Sequence, residues 1–174
     1  MSDSIENQLL HASLLCGMVP NGKQAYRLQL FFVANRELGS KSHQSDFQRA
    51  LETGVDTKGL WDNSGYRGSG EYVITELGYK IAKMIYGEVN AKYQPVRVAE
   101  FRCRATGIIN ELHIELRTVG KTSEVFINNK KCRSAKEACQ IIENGSNLHL
   151  PTSGESAVRV LYNMAVDQDF ELIL

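Results

Sequence analysis

The spacing of the apolar residues changes once along this 174-residue chain, and that change limits what it can fold into. Up to about residue 87, apolar residues recur every three or four positions, which is typical of amphipathic helices. From Pro95 onward the period is two, and polar residues separate Leu112, Ile114 and Leu116 as in a half-buried antiparallel strand. The sequence therefore predicts an α+β protein whose second half contains an antiparallel sheet.

Four helices and two short strands are predicted in the first half. The helices cover about residues 3–18, 24–38 and 42–51, with Gly54 as the stop of the third, and a fourth begins at Thr75 and ends near Gly87. Between the last two, residues 59–61 and 71–74 are expected to be strands. The segment that joins them is rich in turn-forming residues. In the fourth helix we expect Leu77, Ile81, Met84 and Ile85 to face the core.

Three segments together resemble the winged-helix family of DNA-binding domains. They are the polar helix at 42–51, the loop NSGYRGSG at 63–70 and the strand-to-helix segment YVITELGYKIA at 72–82. The resemblance covers about residues 4–87 and lies in the order of the elements. It implies double-stranded DNA as the partner, with helix 42–51 in the major groove and loop 63–70 as the wing. We therefore assign residues 1–90 to a winged-helix, helix-turn-helix domain.

The helix and the loop carry side chains suited to DNA. Gln and Arg can form two hydrogen bonds to one base edge. A wing needs a cation on a backbone segment narrow enough to approach a groove. Lys41 and His43 stand near the start of the helix, where backbone N–H groups favour an anion. The predicted DNA-binding residues of this half are Lys41, Ser42, His43, Gln44, Gln48, Arg49, Tyr66, Arg67 and Ser69.

Charge is distributed unevenly, although 20 basic and 20 acidic side chains give a net charge of zero. Residues 1–90 hold nine basic and ten acidic residues, which is a weak balance for an autonomous DNA-binding domain. Residues 92–136 hold ten basic against four acidic residues, and residues 137–174 hold one against six. The basic stretch either pairs with the acidic end or meets phosphates, in which case Lys130, Lys131 and Arg133 are the expected contacts.

Residues 91–174 are predicted to form a small antiparallel-sheet α+β domain, joined to the first through the polar stretch 87–94. The strand at 112–116 is expected to pair with residues 96–103. A helix opens at Ser134 with Glu137 completing a capping box, another covers 154–165, and residues 170–174 form an edge strand. This domain either extends the DNA footprint or mediates homodimerisation.

Composition excludes several classes of protein. No segment approaches the roughly 18 uninterrupted apolar residues of a membrane span, and the start MSDSIENQ lacks the pattern of a signal peptide. The four cysteines are far apart in apolar or strand-like contexts, which favours buried, reduced thiols over disulfides. The expectation is a cytoplasmic protein without a membrane partner.

No catalytic residue, metal or cofactor is predicted. The cysteines and His113 lack the close pairs of a zinc site, and Gly65, Gly68 and Gly70 lack the spacing of a phosphate-binding loop. The leading hypothesis is a DNA-binding regulator of transcription or a recognition component of a defence system.

Two alternatives stay open. In the first, helix 42–51 meets a partner protein, and an apolar exposed patch on that helix would favour this hypothesis. The second is a small metal-dependent nuclease that uses Glu100, Glu111, Glu115 and Lys121.

Overall fold

The computed structural model describes residues 4–63, 70–144, 161 and 169–172, the last four by their backbone. The chain divides into two compact units, Met1–Phe101 and Arg102–Leu174. The fold class is α+β, as predicted, with helices and antiparallel sheets.

The N-terminal unit combines helices with a small sheet. Its elements are α1 (Ile5–Leu15), β1 (Ala25–Tyr26), α2 (Arg27–Arg36), α3 (Gln44–Asp56), β2 (Trp61–Asp62), β3 (Glu71–Ile74) and α4 (Glu76–Tyr86). The strands are antiparallel in the order β1-β3-β2, so the expected two-strand hairpin is confirmed. The sequence missed β1. Tyr26 is extended and pairs with Glu71, and the second helix therefore begins only at Arg27.

Trp61 and Gly54 lie at the centre of this unit. The indole Nε1 of the buried Trp61 donates to Ser13 Oγ (3.0 Å), and Ser13 Oγ donates to the Leu9 carbonyl (2.8 Å), so the polar groups are paired. A Cβ on Gly54 would lie 2.5 Å from two carbons of the indole ring. The prediction that Gly54 ends the third helix is wrong, because this glycine lets α3 approach Trp61 and the helix continues to Asp56.

The apolar residues of α4 do not face the core, contrary to the prediction. Leu77, Met84 and Ile85 are 50%, 75% and 47% exposed, and Ile81 is half-buried. The helix instead packs through Gly78 and Ala82. A Cβ on Gly78 would lie 2.2 Å from the Leu60 carbonyl oxygen, so the helix comes too close for larger side chains to fit between.

The predicted linker 87–94 packs against the N-terminal unit. The backbone N–H groups of Lys92 and Tyr93 both donate to the Leu15 carbonyl (2.8 and 3.0 Å). The buried Gln29 donates to the Gln94 carbonyl (2.8 Å) and accepts from the Val96 N–H (3.2 Å). We call residues 88–101 the strap.

The strap ends in a 3₁₀ turn, Val98–Glu100, and not in a strand. The expectation that residues 96–103 pair with the strand at 112–116 is therefore wrong. Residues 112–116 pair with residues 105–109 of a strand that begins at Arg102.

The C-terminal unit is an antiparallel sheet with a helix. Its elements are β4 (Arg102–Ile109), β5 (Leu112–Val119), β6 (Thr122–Ile127), β7 (Lys130–Lys131), α5 (Ala135–Asn144) and β8 (Asp169–Leu172), with strand order β7-β6-β5-β4-β8. β8 lies at one edge of the sheet, which confirms the predicted edge strand over residues 170–172. Residues 173–174 lie outside the described residues. The predicted helix at 154–165 falls outside the described residues except for Leu161, which is helical and buried.

Two tight turns and the start of α5 in this unit have local causes. Asn110 and Glu111, and then Asn128 and Asn129, have positive φ angles (51°, 67°, 49° and 66°), as two-residue hairpin turns require. Ser134 Oγ accepts from the Glu137 N–H (3.1 Å), and the Glu137 carboxylate accepts from the Arg133 N–H (3.1 Å). The predicted start of α5 is confirmed.

The four cysteines are buried and free of disulfides, which confirms the prediction of packed thiols. Burial raises the pKa of Cys16 to about 12. Among the helices of the described residues, none has the length and apolar character needed to cross a membrane.

Gly54→Ala tests the packing of α3 on Trp61. The added methyl group should lower the free energy of unfolding by about 1–3 kcal/mol, the usual cost of overpacking, despite the better helix propensity of alanine. Denaturant unfolding measures this difference. Thr53→Ala, at the exposed neighbouring position, should change stability by less than about 0.5 kcal/mol. Equal stability of Gly54→Ala and the wild type would contradict the contact.

Glu37 connects the strap to the end of α2. Its carboxylate accepts from Lys92 Nζ (2.8 Å) and from the Tyr93 hydroxyl (2.8 Å). Both bonds lower the pKa of Glu37, and the bond from Lys92 has the larger effect. Burial and then the bond to Glu37 raise the pKa of Tyr93 to about 12.

Glu37→Gln tests this connection through its pH dependence. Because the pKa of Glu37 is lower in the folded state, its contribution is complete above the unfolded pKa of about 4.3 and is lost as pH falls through the folded value. The wild type should therefore melt above Glu37→Gln at neutral pH, and the gap should close in acid. Glu100→Gln, at an exposed carboxylate, is the control. A gap that persists in acid would show that Glu37 acts by packing and not by charge.

Candidate nucleic-acid interface

Packing against α2 fixes which face of α3 is turned outward. Phe47 and Leu51 are buried, and the Phe47 ring meets Phe31 of α2 edge to face with centroids 5.4 Å apart. These contacts bury the side of α3 that carries Phe47 and Leu51. The opposite, polar side of α3 is therefore displayed.

The turn into α3 is held by hydrogen bonds that use one of the predicted DNA-binding residues. The Ser42 N–H donates to Asn35 Oδ1 (2.8 Å), and the Ser42 and Ser40 hydroxyls lie 2.7 Å apart. Ser42 thus shapes the approach to the helix, and its hydroxyl is already engaged.

The start of α3 lies beside basic side chains. His43 is the N-cap, and its side chain makes no capping hydrogen bond. Lys41 and His43 are exposed at this end of the helix. One turn later the Arg49 side chain is 76% exposed, and its Nη2 lies 3.5 Å from Asp46 Oδ1. This end of α3 therefore combines basic side chains, the positive end of the helix dipole and the carboxylate of Asp46.

The two glutamines of α3 do not form the expected pair of displayed amides. Gln44 is only 7% exposed, because it lies on the same helical face as Phe47 and Leu51. We therefore remove Gln44 from the set of candidate base contacts. Gln48 is half-buried, and its Nε2 donates to Glu52 Oε1 (3.0 Å). Gln48 would need to exchange this bond for one to a base.

The second half of α3 is acidic, a feature that the sequence reasoning missed. Glu52 and Asp56 line a cavity of about 540 Å³ together with Asp62 of β2, Arg27 and Tyr72. Burial, and to a lesser degree these two α3 carboxylates, raise the pKa of Tyr72. The predicted range 42–51 leaves out Glu52, and the predicted stop at Gly54 leaves out Asp56. The apolar spacing from Leu51 to Val55 is the sequence signal that the helix continues.

The predicted wing falls largely outside the described residues. Tyr66, Arg67 and Ser69 are among residues 64–69, so their contacts with DNA stay a prediction. The backbone leaves this segment at Gly70, which has φ of 79° and lies against the Tyr26 ring. A Cβ there would lie 2.9 Å from a ring carbon, so position 70 requires glycine.

Lys130, Lys131 and Arg133 belong to the C-terminal unit and are all exposed. The two lysines form β7, and Lys131 Nζ donates to Glu124 Oε1 (3.1 Å). Arg133 follows directly, ahead of α5. These three cations are thus close along the chain at the β7 edge of the sheet.

The residues of the nuclease alternative are not grouped. Glu111 sits in a hairpin turn, and Glu115 accepts from Arg117 Nε (2.9 Å) in the middle of β5. Within the described ranges, no three His, Cys, Asp or Glu side chains are arranged to hold a metal ion. Among the described residues, these side chains therefore do not form the metal site that the nuclease alternative requires.

Comparisons of the chain with protein-family models, curated proteins and solved structures found no match. Its function is therefore inferred from the geometry and charge of the site.

Proposed function

We propose that the protein binds double-stranded DNA through the N-terminal unit, with the first half of α3 in the major groove. The observation that carries the proposal is the arrangement α2, turn, α3 and hairpin, with the polar face of α3 directed outward. The same order of elements places a reading helix beside a wing in winged-helix domains. The N-terminal residues of such a helix are those that reach the base edges.

Charge restricts the proposed contact to one end of α3. Lys41 and His43, with Arg49, would meet phosphates or a guanine edge, and Gln48 would contact a neighbouring base. Glu52 and Asp56 would repel phosphates if the whole helix entered the groove. We therefore expect the helix to enter the groove by its amino-terminal end, with modest, strongly salt-dependent affinity.

The wider role is part of the same proposal. A site of this kind suits a regulator of transcription or the recognition component of a defence system. Free, buried thiols suit a reducing compartment, so we place the protein in the cytoplasm. Lys130, Lys131 and Arg133 would extend the footprint along the backbone of the DNA. Homodimerisation through the C-terminal unit stays a prediction.

The alternative, in which α3 meets a partner protein, required an apolar patch on its outer face. The described part of α3 exposes polar and charged residues there, and the exposed large apolar side chains lie elsewhere. The polar character of this face supports DNA over protein as its partner.

Lys41→Ala and Arg49→Ala test the proposed contact. Fluorescence anisotropy with a labelled duplex, repeated over a series of salt concentrations, should show weaker binding for both variants. Each should also reduce the slope of log K against log salt by about 0.9, the value for one phosphate contact. Lys80→Ala removes the same charge from the exposed surface of α4 and should leave the slope unchanged. Absence of salt-dependent binding by the intact protein would refute the proposal.

The double variant Glu52→Gln, Asp56→Asn tests whether the acidic half of α3 weakens DNA binding. Removing two carboxylates from the second half of α3 should tighten DNA binding by about fivefold at low salt, equivalent to about 1 kcal/mol. Glu76→Gln on α4 provides the matched control for loss of an acid. If the double variant binds no more tightly than this control, α3 does not approach the phosphates.

A further inference from the structure

Arg27 and Tyr72 place two hydrogen-bond donors on the cavity between α3 and the hairpin. Both residues line this cavity, which measures about 540 Å³. Tyr72 is only 5% exposed, and within the described residues its hydroxyl forms no hydrogen bond. Arg27 Nε is buried and, in the same part of the chain, has no hydrogen-bond partner. Because buried polar groups are normally hydrogen-bonded, these two donors mark the inner part of the cavity as a place for an acceptor that a ligand brings.

The outer part of the same cavity is acidic. Glu52 and Asp56 of α3 and Asp62 of β2 line it, and all three residues are exposed. No hydrogen bond or salt bridge in the described part of the chain joins Arg27 to these acids. Burial raises the pKa of Tyr72, Arg27 lowers it, and the two acids of α3 raise it, so charges of both signs act on this hydroxyl. The cavity thus carries one guanidinium inside and three carboxylates near its opening, with negative charge in excess.

We propose that this cavity binds a free dibasic amino acid, such as lysine or ornithine, with its α-carboxylate directed inward. In this arrangement the carboxylate accepts from the Arg27 guanidinium and the Tyr72 hydroxyl, and charge-assisted bonds of this kind are the stronger ones. The α-ammonium and the side-chain ammonium donate to the carboxylates near the opening. One negative and two positive charges complement one guanidinium and three carboxylates, which a neutral or a dicarboxylic amino acid does not.

The size and the chemistry of the cavity agree with such a ligand. Small-molecule sites usually enclose roughly 300–1,000 Å³, a range that includes this cavity. Glu52 already accepts from Gln48 Nε2 (3.0 Å), but a carboxylate offers about four acceptor sites and can bond an ammonium as well. Among the described residues no three His, Cys, Asp or Glu side chains are arranged to hold a metal ion, which favours an organic cation over a metal.

Isothermal titration calorimetry of the full chain with L-lysine and with L-ornithine tests the site. No DNA is present, so the outcome is independent of the proposed function. At least one of the two amino acids should bind. No binding of either would refute the proposal.

Four analogues test the orientation and the class of the ligand in the same experiment. Cadaverine and putrescine are the decarboxylated forms of lysine and ornithine, and they lack the acceptor for Arg27 and Tyr72. L-Norleucine and L-norvaline lack the side-chain amine. Each analogue should bind at least about tenfold more weakly than its parent, since it loses hydrogen bonds between charged groups. An analogue that binds as tightly as its parent would overturn the proposal.

Tyr72→Phe tests the inner contact, because it removes one hydroxyl and nothing else. Since that hydroxyl has no partner in the described chain, thermal unfolding should be nearly unchanged, while the affinity for the amino acid should fall about tenfold. Arg27→Gln should lower the affinity further. Tyr86→Phe, which removes a hydroxyl bonded to the Asn7 carbonyl, and Arg36→Gln, at the other end of α2, should bind as the wild type does. Wild-type affinity in a folded Tyr72→Phe would place the ligand elsewhere and overturn the proposal.

Discussion

The indole of Trp61 joins the three parts of the N-terminal unit on which the proposed site depends. It opens β2, hydrogen-bonds Ser13 of α1 and packs against Gly54 of α3. A buried aromatic ring with its N–H satisfied is among the strongest local sources of stability. Because one side chain contacts both helices and begins the hairpin, the orientation of α3 beside the hairpin follows from it.

Two glycines determine which sides of α3 and α4 are exposed. Gly54 lets α3 lie against Trp61, which leaves the polar side of that helix outward. Gly78 lets α4 lie against the Leu60 backbone, which leaves Leu77, Met84 and Ile85 exposed. The unit thus presents a polar helix and an apolar helix side. The proposed DNA contact uses the polar helix.

Periodicity predicted most of the elements, and tertiary contacts decided where it failed. The hairpin and the capped start of α5 follow from local patterns. The orientation of α4 could not be predicted, because an apolar stripe looks the same whether it faces a core or another molecule. The packing of the strap could not be predicted either. Its polar sequence is held by hydrogen bonds to Leu15 and Gln29, which are distant from it in the chain.

The sequence predicted the location of the candidate site better than it predicted the charges around it. Lys41, His43 and Arg49 are exposed at or near the start of α3, as the sequence predicted. Gln44 points inward, Glu52 lies after the predicted reading range 42–51, and Asp56 lies beyond the predicted stop at Gly54.

Chemical-shift mapping with a DNA duplex tests the central claim most directly. The account predicts perturbed amides across residues 41–49 and the hairpin, and little change along α4. Shifts confined to other elements, or no shifts, would contradict it.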